Sequence, residues 1–304
     1  MFELTTPVAF IIFNRPETTN KVFKEIRKAK PSKLFIIADG PKKNNDEDNH
    51  LCLETRDIVE KIDWDCKVHK DYSNNNIGLR KRVSTGLNWV FEHTEEAIIL
   101  EDDCVPHPSF FRFCEELLDY YRNEEKIMAI AGTNFISLQK PEHNSYFFSA
   151  FVNVWGWASW RRAWINYDDK INDWPNLSKG DFLLKILQNE KSVKYWNTIL
   201  QEVYEEKINS WAYRWQFSCW QNDGLTIIPA VNSVTNIGFG KEATNTKGPG
   251  KRSAVNRSNE IVFPLKHPKN IERDKHIDNF ITKKRHRFSP RDKTIRFIKK
   301  ILGL

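Results

Sequence analysis

The chain has 304 residues, 40% of them hydrophobic, which is enough for one large α/β domain or two small ones with a real core. Its formal charge of +7 is uneven: residues 281–304 carry nine Lys or Arg against one Asp, so the body is close to neutral and gives no support for a nucleic-acid-binding face. No stretch reaches the roughly 18 apolar residues of a membrane-spanning helix, and Cys52, Cys66, Cys104, Cys114 and Cys219 show no CxxC spacing, as expected of reduced thiols in a cytosolic protein.

Taken in order, residues 8–13 (VAFIIF) predict a buried strand, entered directly from Met1 with no signal-peptide pattern and closed by the turn Asn14-Arg15-Pro16. A helix is expected over about 17–29. A second strand at 34–38 (LFIIA) ends at Asp39-Gly40-Pro41, a strong turn signal. A polar loop over 42–49, a helix over about 50–62 and a strand near 66–69 follow. After Asn74-Asn75-Asn76 and Ile77-Gly78, the apolar spacing of Val83, Leu87, Val90 and Phe91 predicts a helix to about 93. Residues 97–100 (AIIL) form another buried strand, which runs straight into Glu101-Asp102-Asp103. Beyond residue 140 Trp is abundant and strands are hard to find, apart from 225–229 (LTIIP). Residues 238–260, rich in Gly, Lys, Asn and Ser, read as a mobile loop.

Alternating strands and helices predict an α/β fold, a mostly parallel Rossmann-like sheet flanked by helices. In such sheets ligands bind outside the carboxyl ends of the strands. Asn14-Arg15, Asp39-Gly40 and Glu101-Asp102-Asp103 should therefore gather at one edge. Three adjacent carboxylates repel one another unless a cation or hydrogen-bond donors offset them, and hard oxygen ligands suit Mn²⁺ or Mg²⁺. A metal there could bridge the phosphates of a nucleotide sugar and act as a Lewis acid. The plainer alternative is a solvated acidic turn, or carboxylates at the start of a helix near Pro108. Eleven Trp and twenty Phe suit a groove for sugars or bases, or simply an aromatic core.

The segment from Ala97 to Phe111 (AIILEDDCVPHPSFF) resembles the strand, EDD and P-x-F stretch of GT-A glycosyltransferases. It is similar to the eukaryotic N-acetylglucosaminyltransferase that initiates hybrid and complex N-glycans, and to bacterial hemolysin-like proteins thought to be sugar transferases. Pro7 to Arg15 resembles the first strand and nucleotide-contacting turn, and residues 36–40 the second strand with a uracil-contacting Asp. Residues 154–160 (VWGWASW) resemble a Gly-Trp acceptor motif, with Trp155, Gly156 and Trp157 on the acceptor side. Asn236 to Gly240 (NIGFG) resembles a loop near the donor phosphates that includes Gly238, Phe239 and Gly240. The resemblance covers about residues 5–247. It implies a metal-dependent, inverting transferase that moves a hexosyl or N-acetylhexosaminyl group from a UDP-sugar to a glycan or lipid-linked acceptor in surface polysaccharide synthesis. It implies Asp103 as the metal ligand, Asp102 and Glu101 on ribose and sugar, and Asn14, Arg15 and Asp39 on the uridine. Gly78 and Arg80 would lie near the nucleotide. Asn14 and Asp39 could instead only shape turns, and Arg80 could be an exposed helix residue.

An inverting transfer needs a general base. By the same resemblance it is an Asp in a Trp-flanked segment, which here reads Ser210-Trp211-Ala212-Tyr213-Arg214-Trp215 and holds no carboxylate. Ala212 thus stands where Asp is expected, between the acceptor-side Trp211 and Trp215. The chain is then an engineered inactive variant, a naturally impaired one, or one that uses Asp223 or Glu205 instead. Asn245 stands where related chains often carry a His. A nucleotide-sugar-binding or lectin-like module without catalysis is the rival reading. A sugar nucleotidyltransferase is disfavoured, because residues 8–20 lack Gly.

The domain is expected to span 1–280, with a nucleotide-sugar half at 1–135 and an acceptor half at 136–280. At 281–304 a basic amphipathic tail follows, with Ser289-Pro290 as a helix start and Ile295, Ile298, Ile301 and Leu302 on one stripe. Residues 285–304 suit an anionic membrane surface and predict a cytoplasmic protein held peripherally at the inner face of the membrane. The alternative is a helix packed on the body.

Overall fold

The computed structural model describes residues 2–135, 144–238 and 257–285. In chain order the elements are β1 (Val8–Ile12), α1 (Pro16–Ala29), β2 (Lys33–Ala38), α2 (Asp46–Val59), β3 (Lys67–Tyr72), α3 (Leu79–His93), β4 (Glu96–Glu101), β5 (Cys104–Pro106), α4 (Pro108–Tyr120), β6 (Ile127–Ala131), β7 (Tyr146–Ser149), β8 (Trp157–Trp160), α5 (Arg161–Trp164), α6 (Trp174–Leu177), α7 (Phe182–Leu187), α8 (Glu190–Tyr204), α9 (Trp211–Gln221), β9 (Leu225–Pro229), β10 (Val234–Asn236) and α10 (Lys275–Arg285).

Eight strands form one sheet in the order β3-β2-β1-β4-β8-β6-β9-β7, and β10 pairs with β5 beside it. β1 pairs in parallel with β2 and β4, β2 with β3, and β6 with β9. β8 runs antiparallel between β4 and β6, and β7 antiparallel to β9. Six strands therefore share one direction and end at one edge. This is a mixed, mostly parallel Rossmann-like sheet flanked by helices.

Alternate residues of each buried strand feed opposite layers, as the two-residue period of a strand requires. Val8, Phe10, Leu34, Ile36, Ile98 and Leu100 pack under α1, α2 and α4 through Val22, Phe23, Ile26, Val59, Phe110 and Leu117. Ala9, Ile11, Phe35, Ile37, Ala97 and Ile99 pack under α3, α5 and α9 through Val83, Leu87, Trp164, Trp211 and Trp215. A third cluster joins β7 and α6–α9 to Ile281 of α10.

Three expectations change here. Residues 46–49 belong to α2 rather than to a loop, because the Asn45 side chain accepts the Asp48 N–H and starts the helix early. The strand β6 (IMAIA) supplies a central element that the sequence reading left out. The boundary at 281 falls inside α10, where Ile281 and Thr282 are buried and Asp278 accepts from the Ser149 hydroxyl at 2.6 Å and the Ala150 N–H at 3.1 Å. Residues 286–304, and with them nearly all of the tail, lie outside the described residues, as do 239–256 of the expected mobile loop. Among the described residues no helix is long and apolar enough to cross a membrane.

Candidate functional site

β1, β2 and β4 all end at the same edge, with Ile11 registered against both Ile37 and Glu101. Arg15 is the N-cap residue of α1, whose first residue is Pro16. From there its guanidinium reaches the triplet. Nε donates to Asp102 Oδ2 at 3.3 Å, one terminal nitrogen pairs with Asp102 Oδ1, and the other donates to Asp103 Oδ2 at 3.0 Å. Asp102 is 2% exposed and also accepts the Phe13 N–H. Asp103 stays within reach of solvent, its side chain 14% exposed.

One guanidinium serves three carboxylates. Burial first, then repulsion from Asp103 and Asp102, pushes the Glu101 carboxyl well above the usual carboxylate range despite Arg15. Burial also raises Asp102, against the pull of Arg15. Burial opposes the charge on Arg15 too, but the two aspartates outweigh it and hold the guanidinium above its ordinary value. The cluster is short of positive charge.

Pairing of β5 with β10 sets Asn236 opposite Cys104 and brings the late loop to the triplet. The Ile237 N–H donates to the Asp103 carbonyl at 2.8 Å, and Asn236 Nδ2 to Asp103 Oδ1 at 3.3 Å. A Cβ on Gly238 would stand 2.0 Å from Asp103 Oδ2, so only glycine permits this approach. The juxtaposition of Glu101-Asp102-Asp103 with Gly238 is thus present. Phe239, Gly240 and Asn245 lie outside the described residues.

Asp39 is engaged by the neighbouring loops. It is 4% exposed, and its carboxylate accepts the N–H groups of Gly40 at 2.9 Å, Ile77 at 3.0 Å and Gly78 at 3.0 Å. It fastens the loop before α3 to the end of β2. A Cβ on Gly40 would meet the Asn75 backbone at 2.5 Å, so these loops touch backbone to backbone. Arg56 ties them from the other side, donating to the carbonyls of Asp39 at 3.1 Å and Ser73 at 2.7 Å. Asn14 donates its amide to Asp48 at 2.7 Å, and Lys42 sits 3.6 Å from the same carboxylate. Arg56, Asp48 and Lys42 were missed by the sequence reading. The Asn45-to-Asp48 spacing at the start of α2 was the available signal.

Arg80 does not join the triplet. Its guanidinium pairs with Glu206 and lies 3.6 Å from Asp169. Arg214, fully buried, meets Glu206 at 3.1 Å and donates to the Asp169 carbonyl at 2.6 Å. Arg80 therefore links α3 to the α8–α9 region.

The expected acceptor-side aromatics divide. Trp157, Trp211 and Trp215 are 0%, 4% and 0% exposed; Trp157 stacks on Trp211 at 5.9 Å and meets Trp215 at a tilt at 6.0 Å. They are core, not an acceptor surface, because β8 is a central strand and both of its faces are covered. Trp155 and Gly156 lie in the loop before β8, and half-buried Trp155 packs edge-on against Phe135 at 5.0 Å. Ala212 occupies the first turn of α9, capped by Ser210 and half-buried against the second cluster. α9 ends where β9 begins, so its first turn lies at the site edge. Asp223, immediately before β9, lies at the opposite edge and cannot serve that site. Glu205 is an exposed residue bonded to Lys207 and Gln201, each at 2.8 Å.

No protein-family profile and no curated protein matches the sequence. Among solved structures, the chain is similar to S. aureus TarS 1–349, with 8% identity and a TM-score of 0.43 over 76% of this chain and 59% of that one. It is also similar to a UDP-glucose pyrophosphorylase complexed with UDP-glucose, with 13% identity and a TM-score of 0.29 over 49% and 63% of the two chains. The third is 4-diphosphocytidyl-2C-methyl-D-erythritol synthase from Anaerococcus prevotii, at 12% identity and a TM-score of 0.30 over 52% and 71%. The chain thus spans only 59% of the TarS chain. Likeness at this level carries no functional argument, and the fold assignment stands on the sheet topology.

Proposed function

We propose that this chain is a GT-A glycosyltransferase that takes a sugar from a UDP-sugar and passes it, with inversion, to a glycan or lipid-linked acceptor. One observation carries the reading: Arg15, the triplet Glu101-Asp102-Asp103 and the Asn236–Gly238 turn meet at the carboxyl edge of a parallel sheet, where α/β sheets bind ligands.

A hard divalent cation such as Mn²⁺ or Mg²⁺ would be held here by few protein ligands, because among the described residues no three His, Cys, Asp or Glu side chains converge to hold one. All its donors are carboxylate oxygens, and one guanidinium leaves them under-neutralised. Asp103, the most exposed of the pair that Arg15 holds, is the residue to ligate it. When bound, the ion supplies charge stabilisation to the departing diphosphate. The chain's own groups do the rest. Arg15 offers planar, bidentate hydrogen bonding to phosphate. Asp102 and Glu101 accept from donor hydroxyls. Asp39, with Arg56, fixes the loops that wall the nucleoside side. The same chemistry in a peripheral protein at an anionic membrane surface, through residues 285–304, would place a lipid-linked acceptor within reach.

Ala212 favours a second reading, a nucleotide-sugar-binding module without transfer activity, because no carboxylate stands at the expected base position. A thermal-shift panel of nucleotide sugars, with and without Mn²⁺, tests both. Binding at 100 times the dissociation constant stabilises by about 2.7 kcal/mol. A Mn²⁺-dependent shift with a UDP-sugar is expected. No shift with any nucleotide sugar, with or without the ion, would overturn the donor site.

A further inference from the structure

Asp103 has two carboxylate oxygens, and both are already engaged. Oδ1 faces inward, accepting from Asn236 Nδ2 at 3.3 Å and from Cys104 Sγ at 3.3 Å. Oδ2 lies so close to Gly238 that a Cβ there would stand 2.0 Å away, and it accepts from Arg15 at 3.0 Å. The open approach to Asp103 is therefore the one Arg15 occupies. A divalent ion at roughly 2.1 Å from Oδ2 would sit within about 5 Å of that guanidinium nitrogen. Two like charges at that separation, in a half-buried pocket, oppose each other strongly.

The guanidinium is also built to move on. It is the end of a long side chain, 24% exposed, at the N-terminus of α1. Three of its N–H groups bond the aspartates, and an Arg fork has about five. The rest are uncommitted among the described residues and suit a phosphate oxygen. A diphosphate brought to this edge offers Arg15 a new anionic partner beside the helix N-terminus, whose exposed N–H groups favour the same charge.

From this arrangement we infer that Arg15 occupies the cation's seat at Asp103 while the donor is absent, and yields it when a nucleoside diphosphate arrives. This rests on the donor-site reading above. The ion and the diphosphate then bind as a pair, each tightening the other by the same factor. Arg15 is in this sense a positioning residue for the ion as well as a phosphate contact.

The test is Mn²⁺ binding followed by the loss of its free-ion paramagnetic resonance signal, on wild type and Arg15→Met, alone and with UDP or UMP. Wild type should bind Mn²⁺ weakly alone and at least tenfold more tightly with UDP, while UMP, lacking the second phosphate, should produce little tightening. Arg15→Met should bind Mn²⁺ alone at least tenfold more tightly than wild type and show a reduced response to UDP. The inference falls if Arg15→Met binds Mn²⁺ alone no better than wild type, or if UMP tightens binding as much as UDP. With UDP and Mn²⁺ still pairing in wild type, such a result leaves the donor site standing. If wild type binds neither, both fail. Circular dichroism checks that Arg15→Met folds, and if it does not, the UDP-to-UMP comparison on wild type decides alone.

Discussion

The two halves of the sheet use their conspicuous residues in opposite ways. In the half built on β1, β2 and β4, the polar residues at strand ends stay at the edge and meet: Arg15 on Asp102 and Asp103, Asp39 on the turn at Gly78. In the half built on β6, β8 and β9, the aromatic residues leave the edge for the interior, with Trp157 of β8 and Trp215 of α9 fully buried. A charged residue ending a buried strand can go only to the edge, because burial without partners is too costly. A Trp has no such constraint and contributes more by packing.

The largest test concerns what the second half lacks. Ala212→Asp should raise transfer activity by roughly 10²- to 10⁴-fold, the usual contribution of a general base. Single-turnover measurement with the best donor of the panel checks it, and an unchanged rate would leave the second half a binding surface. Next, Trp157→Ala should cost about 3–5 kcal/mol of stability in urea unfolding, the loss expected of a core aromatic. A cost below about 1 kcal/mol would return Trp157 to the acceptor surface. In the first half, Asp39→Asn should cost about 1–3 kcal/mol, because an amide NH₂ would confront backbone N–H groups that now donate to the carboxylate. It should weaken UDP binding through loop disorder, with no new preference among bases; a changed base preference would make Asp39 a direct reader.

The last test is one of pH. Glu101 and Asp102 sit above the ordinary carboxylate range, so the folded chain holds protons that the unfolded chain has released. Their contribution is present in full in the acid range and is lost as pH rises through neutrality. In EDTA, stability should therefore fall from about pH 5 to about pH 8, and Glu101→Gln should remove part of that slope. An equal slope in the variant would mean that the triplet is already neutralised.

Much of the first half was legible in the sequence. Its strands are unbroken apolar runs that stop at Asn14, Asp39 and Glu101, and parallel topology forces those ends together. The second half was less so. β6 (IMAIA) and β8 (WASW) are too short for periodicity to separate strand from helix, and a strand antiparallel between β4 and β6 leaves no mark in spacing. At the site, the chemistry of the triplet could be read, but the partner of each group could not. That Asp39 would hold N–H groups, that Arg80 would turn to Glu206, and that Asn14 would bond Asp48 depend on loops meeting across 30 residues or more.

β8 also has a consequence for biosynthesis. It covers the side of β4 that β1 leaves open, pairing Glu96 through Ile99 with residues 157–160. Until those residues leave the ribosome, the nascent first half carries an unpaired, apolar strand edge at Ala97–Leu100. Such an edge recruits other strands. Fragments ending near residue 135 should then aggregate, although they hold every residue of the acidic cluster, while fragments extended past 160 gain the strand that closes it.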